Sequence, residues 1–253
     1  TQLMPHGKKK RIVKEAGKVN TPLLTIKNLD TWYSSEKKVL RSLSLELAEH
    51  EVVGLIGLNG AGKTTFLKVL SGLLTTFSSD GIWFYGRSIK FRERNFKLRR
   101  YTVFAEDNSF QYFTFREYLS YVFSAYKKNL PDVSELIHGF RFDDYVDVLL
   151  KDLSTGNRKK VFLITAFALK PELLLLDEPV NGLDFESTEY LYRQISGYKE
   201  YGTVLFSSHI LESITLTSDR VFVLENGQIC REFKSGQIDA TGIREALRYE
   251  NNI

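Results

Sequence analysis

The chain has 253 residues, of which 43% are hydrophobic and 26% are charged, a composition that suits one large domain with a buried core. Its one cysteine, Cys230, excludes an intramolecular disulfide framework and suits a reducing compartment. The net charge of +4 arises in residues 1–20, which hold six of the 35 basic and one of the 31 acidic residues, so the charge of the whole chain does not indicate nucleic-acid binding.

Residues 1–21 form a basic leader, which we predict to be disordered; the alternative is a basic arm that contacts anionic lipid or a partner. The apolar stretch over residues 161–169 has lysines on both sides, and a membrane span needs about twenty apolar residues. We therefore expect any membrane role to come through a partner.

Strands and helices alternate along the rest of the chain. Apolar patterns predict strands over residues 23–30, 39–48, 51–56 and 81–85, and a helix over residues 64–74. Residues 110–150 are aromatic-rich with helical spacing broken at Pro131, and a further helix is predicted over residues 154–169. Strands over residues 173–176, 203–207 and 220–225 follow, and an Asn-Gly turn leads into a strand over residues 228–233. These elements predict an α/β fold with a parallel sheet and an antiparallel annex.

A glycine-rich segment between the third strand and the first helix matches the phosphate-loop pattern. Glycines let the backbone curl so that its amide hydrogens point at phosphate oxygens, and the helix adds its positive end. Lys63 supplies a mobile cation for the outer phosphates, and the Thr64 hydroxyl is a ligand for Mg²⁺. The predicted nucleotide-binding residues here are Gly57, Asn59, Gly60, Ala61, Gly62, Lys63, Thr64 and Thr65. Alone, the motif does not separate a kinase from a GTPase or a transporter motor.

An acidic pair follows the apolar strand over residues 173–176. Asp177, at the carboxyl end of that strand, can hold Mg²⁺ through water, and Glu178 can activate the attacking water as a general base. We predict that Thr64 and Asp177 bind metal, and that Lys63 and Glu178 are catalytic.

The remaining motifs, in their order, resemble those of the ATP-binding subunits of ABC transporters. One segment before the acidic pair is similar to the signature Leu-Ser-Gly-Gly-Gln of that family, and one after the pair is similar to its D-loop. His209 stands at the place of the switch histidine, and Tyr33 where the family stacks an aromatic ring on adenine. The two segments are Leu153-Ser154-Thr155-Gly156-Asn157 and Asn181-Gly182-Leu183-Asp184.

This resemblance implies a RecA-like P-loop NTPase core with an antiparallel β annex, an ABC ATPase domain over residues 22–253, and a helical subdomain over about residues 108–158. It implies that Tyr33, Ser154, Gly156 and Asp184 bind nucleotide, that His209 has a catalytic role in sensing the γ-phosphate, and that ATP is bound with Mg²⁺. The implied partners are a second ATPase subunit, identical or a paralogue, and an integral membrane transporter subunit. The latter would hold the chain at the cytoplasmic face of the cell membrane, and no nucleic acid is expected.

Three positions depart from the family pattern. Thr155 replaces a glycine and Asn157 a glutamine in the signature, and relaxed signatures of this kind are familiar among exporters. Glu106 stands where the family has the glutamine of the Q-loop, and a glutamate there resembles lantibiotic and related peptide exporters. We therefore predict that Glu106 binds metal and that the chain drives export, with peptides as cargo; a solvated loop carboxylate is the alternative for Glu106.

Two further features bear on partners. A basic patch over residues 87–100 is predicted to be a solvated face near the membrane partner, and the aromatic residues 110–126 divide between core packing and a groove for a helix of that partner.

The alternative function is a soluble ABC-type ATPase acting in cofactor assembly or nucleic-acid metabolism. The presence of Glu178 and His209 argues against a third class, a regulatory subunit without ATPase activity.

Overall fold

The structure is a computed structural model that describes residues 21–34 and 37–248, so the predicted leader, apart from Thr21, lies outside the described residues. The strands are β1 (Leu24–Ser34), β2 (Lys37–Leu47), β3 (Val52–Ile56), β4 (Phe77–Ser78), β5 (Gly81–Phe84), β6 (Arg87–Ser88), β7 (Arg100–Val103), β8 (Leu173–Asp177), β9 (Thr203–Ser208), β10 (Arg220–Glu225) and β11 (Gln228–Lys234). The helices are α1 (Lys63–Leu70), α2 (Arg94–Lys97), α3 (Phe115–Ala125), α4 (Ser134–Gly139), α5 (Thr155–Leu169), α6 (Phe185–Gly197), α7 (Leu211–Thr217) and α8 (Ala240–Arg248).

The central sheet has the strand order β11-β10-β3-β9-β8-β7 and is parallel except for β11. Every residue of β3, β8 and β9 is buried, as expected of strands covered on both faces. Because parallel strands end at the same edge, the segments that follow β3, β8 and β9 come together there. These segments carry the phosphate loop, the acidic pair and His209.

A second, antiparallel sheet has the order β2-β1-β5-β6, with β4 paired to β1. Its buried side chains share one hydrophobic cluster with Phe66, Leu67 and Leu70 of α1. The annex therefore packs against the helix that follows the phosphate loop. The predicted parallel core and antiparallel annex are confirmed.

The segment between β7 and β8 contains α3, α4 and the whole of α5. A capping box opens α3, since the Thr114 hydroxyl accepts from the Glu117 backbone N–H and the Glu117 carboxylate accepts from the Thr114 N–H. Phe115, Tyr118 and Phe123 on this helix are buried in the core that also contains α5.

The structure differs from the sequence prediction in several details of position: β1, for example, runs to Ser34 rather than ending at residue 30. The first helix ends at Leu70 rather than at residue 74, because Gly72 takes a left-handed conformation with φ of 75°. The hairpin of β10 and β11 extends the central sheet rather than the annex, since β10 pairs with β3. No helix of the described part is both long and apolar enough to cross a membrane.

Candidate functional site

The phosphate loop curls between β3 and α1. Gly60 and Gly62 have φ of 86° and 109°, conformations that strongly favour glycine. Gly62 precedes α1 and no side chain caps that helix end, so the first amide hydrogens of α1 are available for an anion. Gly57 is required for a different reason: a Cβ atom there would lie 2.3 Å from the Leu224 carbonyl oxygen.

Lys63 lies across this loop and is only 6% exposed. Its Nζ donates to the Gly57 carbonyl oxygen at 2.7 Å and to the Leu58 carbonyl oxygen at 3.3 Å. The same ammonium is 3.4 Å from Oε1 of Glu178. The loop lysine and the predicted base therefore form one buried ion pair at the edge of the sheet.

Thr64 and Asp177 also meet here. The Thr64 hydroxyl donates to Asp177 Oδ1 at 3.1 Å, and the Ser207 hydroxyl donates to the same oxygen at 2.7 Å. The other carboxylate oxygen, Oδ2, is buried and has no hydrogen-bond partner among the residues that the structure describes. A free carboxylate oxygen beside a hydroxyl is a donor set that fits Mg²⁺, which takes one or two protein oxygens together with water and phosphate.

With these two oxygens available, binding of Mg²⁺ at this site does not need a larger cluster of protein ligands. Among the described residues there is no group of three or more His, Cys, Asp or Glu side chains that could hold a metal ion. A Mg²⁺ ion bound largely by phosphate oxygens requires no such group.

Glu178 directly follows β8 and is 8% exposed. Its Oε2 lies 2.7 Å from His209 Nδ1 and accepts from the His209 backbone N–H at 3.3 Å. Its backbone is left-handed, with φ of 46°, a conformation that costs a non-glycine residue about 1–2 kcal/mol. The Glu178 N–H donates to the hydroxyl and the carbonyl oxygen of Ser207 at 3.0 and 3.2 Å. The carboxylate is thus held between Lys63 and His209.

Tyr33 lies at the end of β1 and is 57% exposed. Its hydroxyl is 3.2 Å from the Thr65 hydroxyl, which brings the ring to the start of α1. An exposed ring beside the phosphate loop is able to stack on a nucleotide base.

The signature-like segment opens α5. The Ser154 hydroxyl caps that helix by accepting from the Asn157 N–H at 3.2 Å. Gly156 packs against the D-loop segment, where a Cβ atom would lie 2.1 Å from the Gly182 carbonyl oxygen. No hydrogen bond or ion pair between described residues joins Ser154 to the phosphate loop, so the structure does not connect these two predicted nucleotide-binding segments within one chain.

Asp184 ends the D-loop segment and caps α6 by accepting from the Ser187 N–H at 2.9 Å. Its carboxylate also pairs with the buried Lys160 of α5 at 2.7 Å. Partial burial raises the pKa of Asp184, but the hydrogen bonds from Lys160 and Ser187 outweigh it and hold that pKa well below its usual value. The D-loop and the signature helix are therefore joined by a charge pair as well as by packing.

Glu106 lies on an exposed loop after β7 and lines a cavity between that loop and α5. Asn108 of the same loop accepts from Arg158 Nη1 at 2.6 Å. In the described part of the chain, no hydrogen bond or ion pair joins the Glu106 carboxylate to Thr64 or Asp177. The metal-binding role of Glu106 stays a prediction.

Sequence reasoning missed two polar side chains that hold the acidic pair. Ser207 orients Asp177 and Glu178 from the neighbouring strand. The sequence feature that could have indicated it is a serine pair at the end of an apolar strand. Lys159 donates to the Glu178 carbonyl oxygen at 3.0 Å, and the sequence feature that could have indicated it is a lysine pair directly before the apolar part of α5.

The parallel sheet, the phosphate loop and the acidic pair at its edge define the class of P-loop nucleoside triphosphatases. The sequence profile of the ABC transporter family matches residues 40–181, and the chain belongs to that family. Its members hydrolyse ATP to power transport, and the chain is an ATPase of this kind.

Similar proteins agree with this placement. The ABC transporter ATP-binding protein AlbC of Bacillus subtilis is 36% identical over 222 residues, which are 85% of this chain and 93% of that protein. The zinc import ATP-binding protein ZnuC of Hydrogenovibrio crunogenus is 30% identical over 212 residues, which are 83% of this chain and 81% of that protein. A solved structure of the ATP-binding subunit of an ABC transporter, 27% identical, has a TM-score of 0.76 and covers 89% of this chain and 94% of that one.

The contact of Gly156 with Gly182 leads to a testable prediction. We expect Gly156→Ala to force the two segments apart and to lower the free energy of unfolding by about 1–3 kcal/mol, the usual cost of overpacking. Urea denaturation measures this loss. Gly197→Ala is the matched control, because a Cβ atom there meets nothing within 4 Å at the end of α6. Equal stability of the two variants would contradict the prediction.

Proposed function

We propose that this chain is an ATP-hydrolysing subunit that dimerises around ATP and powers a membrane exporter, with peptides as the cargo class. The proposal is carried by the separation of the two nucleotide-binding segments. Ser154 and Gly156 are engaged with α5 and the D-loop, while Lys63 and Thr64 face the acidic pair. A second subunit that presents its own signature-like segment completes each site.

In the proposed site, each residue acts on a different part of the nucleotide. The loop amides and Lys63 bind the phosphates, Tyr33 stacks on the base, and Thr64 and Asp177 hold Mg²⁺. When bound, Mg²⁺ neutralises charge on the outer phosphate oxygens. Ser154, Gly156 and Asp184 are proposed to make the remaining contacts with nucleotide, at the dimer interface.

Glu178 is the proposed general base. Its carboxylate accepts a proton from the attacking water, and His209, paired with that carboxylate at 2.7 Å, orients it and contacts the γ-phosphate. Release of the γ-phosphate removes the anion that joins the two subunits, so the dimer opens. The membrane subunit converts this opening and closing into transport.

The surface proposed for the membrane subunit lies on α3 and on the turn that precedes it. Tyr112 and Tyr121 are 76% and 51% exposed, and an open groove beside them is lined by Phe113, Arg116 and Glu117. An apolar surface with charged edges suits an amphipathic helix of a partner. Binding there would hold the chain at the cytoplasmic face of the membrane as a peripheral subunit.

Export is proposed from the departures at Thr155, Asn157 and Glu106. The relatives include a protein named for zinc import, so membership of the family leaves the direction open.

Co-purification tests the partner: a tagged chain extracted from membranes is expected to bring down an integral membrane protein. Reconstitution of that pair in vesicles measures the direction, and ATP-driven uptake from the side opposite to the ATPase would overturn export.

Dimerisation has its own test. In the Glu178→Gln chain, Mg²⁺ and ATP are expected to double the sedimenting mass, whereas ADP leaves it unchanged. Ser154→Arg in the same background is expected to abolish the ATP-dependent dimer, because it fills the surface that would receive the partner's nucleotide. Ser134→Arg, at an exposed position on α4, is the matched control. A monomer in ATP in the Glu178→Gln chain would contradict the proposal.

A further inference from the structure

The helix α5 carries two consecutive lysines that are almost completely buried. Lys159 is 4% exposed and Lys160 is 3% exposed. Lysine is very rarely buried without a partner, and the two side chains have different ones. Lys160 pairs with Asp184, whereas Lys159 extends to the acidic pair and donates to the Glu178 backbone carbonyl oxygen at 3.0 Å.

The peptide unit that Lys159 contacts belongs to a strained residue. Glu178 has φ of 46°, and such a conformation persists only where the surroundings hold it. On the amino side, Ser207 accepts from the Glu178 N–H with both its oxygens. On the carboxyl side, the Glu178 carbonyl oxygen accepts from Lys159 and, at 3.3 Å, from the Asn181 N–H. Lys159 is the side chain that holds the second half of this turn.

The charges around Lys159 suit a cation. Burial lowers the pKa of Lys159 and outweighs the carboxylates of Asp177, Glu178 and Glu106, which favour the charged form and raise that pKa. Lys159 and Glu106 also line the same cavity between the loop after β7 and α5. A hydrogen bond from a charged donor in such surroundings is stronger than a neutral one.

We propose that Lys159 is a positioning residue for ATP hydrolysis: its ammonium group fixes the peptide unit of Glu178 and thereby the carboxylate that activates water. This inference rests on the proposed role of Glu178 as the general base. It also connects α5, whose first residues form the signature-like segment, to the base of the same subunit. Movement of α5 would then change the orientation of Glu178 without any direct contact with nucleotide.

The test compares two neutral replacements in the full chain. Lys159→Met removes the donor, whereas Lys159→Gln retains a shorter one. Loss of one charge-assisted hydrogen bond corresponds to about a 10- to 100-fold fall in kcat. We expect that fall in Lys159→Met and a smaller one in Lys159→Gln, with the KM for ATP changed less than about twofold in both, because the loop that binds the phosphates is untouched.

Lys128→Met is the matched control. Lys128 is also a lysine that donates to a backbone carbonyl oxygen, that of Leu169 at 2.7 Å, at the other end of α5. Its replacement is expected to lower the melting temperature and leave kcat unchanged. An unchanged kcat in Lys159→Met, equal kcat losses in the Met and Gln variants, or the same kcat loss in Lys128→Met would each overturn the inference.

Glu178→Gln serves as the reference that separates the two proposals. If it abolishes turnover while Lys159→Met leaves kcat unchanged, the positioning role fails and the role of Glu178 stands. If Glu178→Gln retains the turnover of the parent chain, the role of Glu178 fails and the inference about Lys159 fails with it.

Discussion

Replacing Glu178 by glutamine is expected to lower ATP turnover by about 10²- to 10⁴-fold, the usual contribution of a general base. Glutamine has nearly the same shape and can still accept from the His209 backbone N–H, but it cannot take a proton from water. Binding of ATP is expected to change little, because the loop amides and Lys63 remain. Single-turnover hydrolysis and fluorescent nucleotide binding, measured on the same preparation, check both statements.

The matched control is Glu172→Gln. Glu172 precedes the same strand, β8, at its opposite end, where it pairs with Arg99 on the surface. An exposed pair of this kind contributes little to stability, so this variant is expected to behave as the parent chain. A fall in turnover of less than about tenfold in Glu178→Gln would be smaller than the lowest contribution expected of a general base. That result would remove Glu178 from the role.

Replacing Lys63 by alanine is expected to weaken ATP binding. Its ammonium is the buried cation of the phosphate loop, and a hydrogen bond to a charged group contributes about 1.5–3 kcal/mol. That loss corresponds to roughly a 10- to 100-fold rise in Kd. The variant also removes the ammonium 3.4 Å from Glu178 Oε1 and leaves that buried carboxylate with His209 alone of its two partners, so a lower melting temperature is expected in the absence of nucleotide. Isothermal titration with ATP and a thermal melt measure the two effects.

Lys68→Ala is the matched control for that variant. Lys68 lies in the last turn of the same helix, α1, and is half-buried. Its replacement removes one positive charge from the helix without touching the loop. An equal rise in Kd in the two variants would assign the effect to net charge and contradict the specific role of Lys63.

Two features made the fold predictable from the sequence. The segments over residues 51–56, 173–176 and 203–207 are short and almost continuously apolar, a pattern typical of strands covered on both sides. The phosphate loop then fixed which strand precedes the first helix. Asp177 and Glu178 could be assigned to the same edge because parallel strands end together, and the structure brings them into contact with Thr64 and Lys63.

The parts that the sequence did not predict depend on tertiary contacts. A lysine in the second turn of a helix is usually solvated, so nothing local distinguishes Lys159, whose partner is a carbonyl oxygen outside that helix. The end of α1 was also missed, since Leu73 and Leu74 continue the apolar pattern, whereas the left-handed Gly72 ends the helix before them. Glu106 fits the expected alignment, yet the structure leaves it exposed on its loop and without a bond to the metal-site residues.

The central sheet also separates two cores. Alternate residues of each buried strand face opposite ways: Leu174 and Leu176 belong to the cluster that contains α5, whereas Leu173 and Leu175 belong to the cluster that contains α1. Close-packed interiors transmit displacement instead of absorbing it. The helix that follows the phosphate loop and the helix that begins with the signature-like segment therefore pack on opposite faces of the same strands. A displacement of either helix is expected to reach the other through those shared strands.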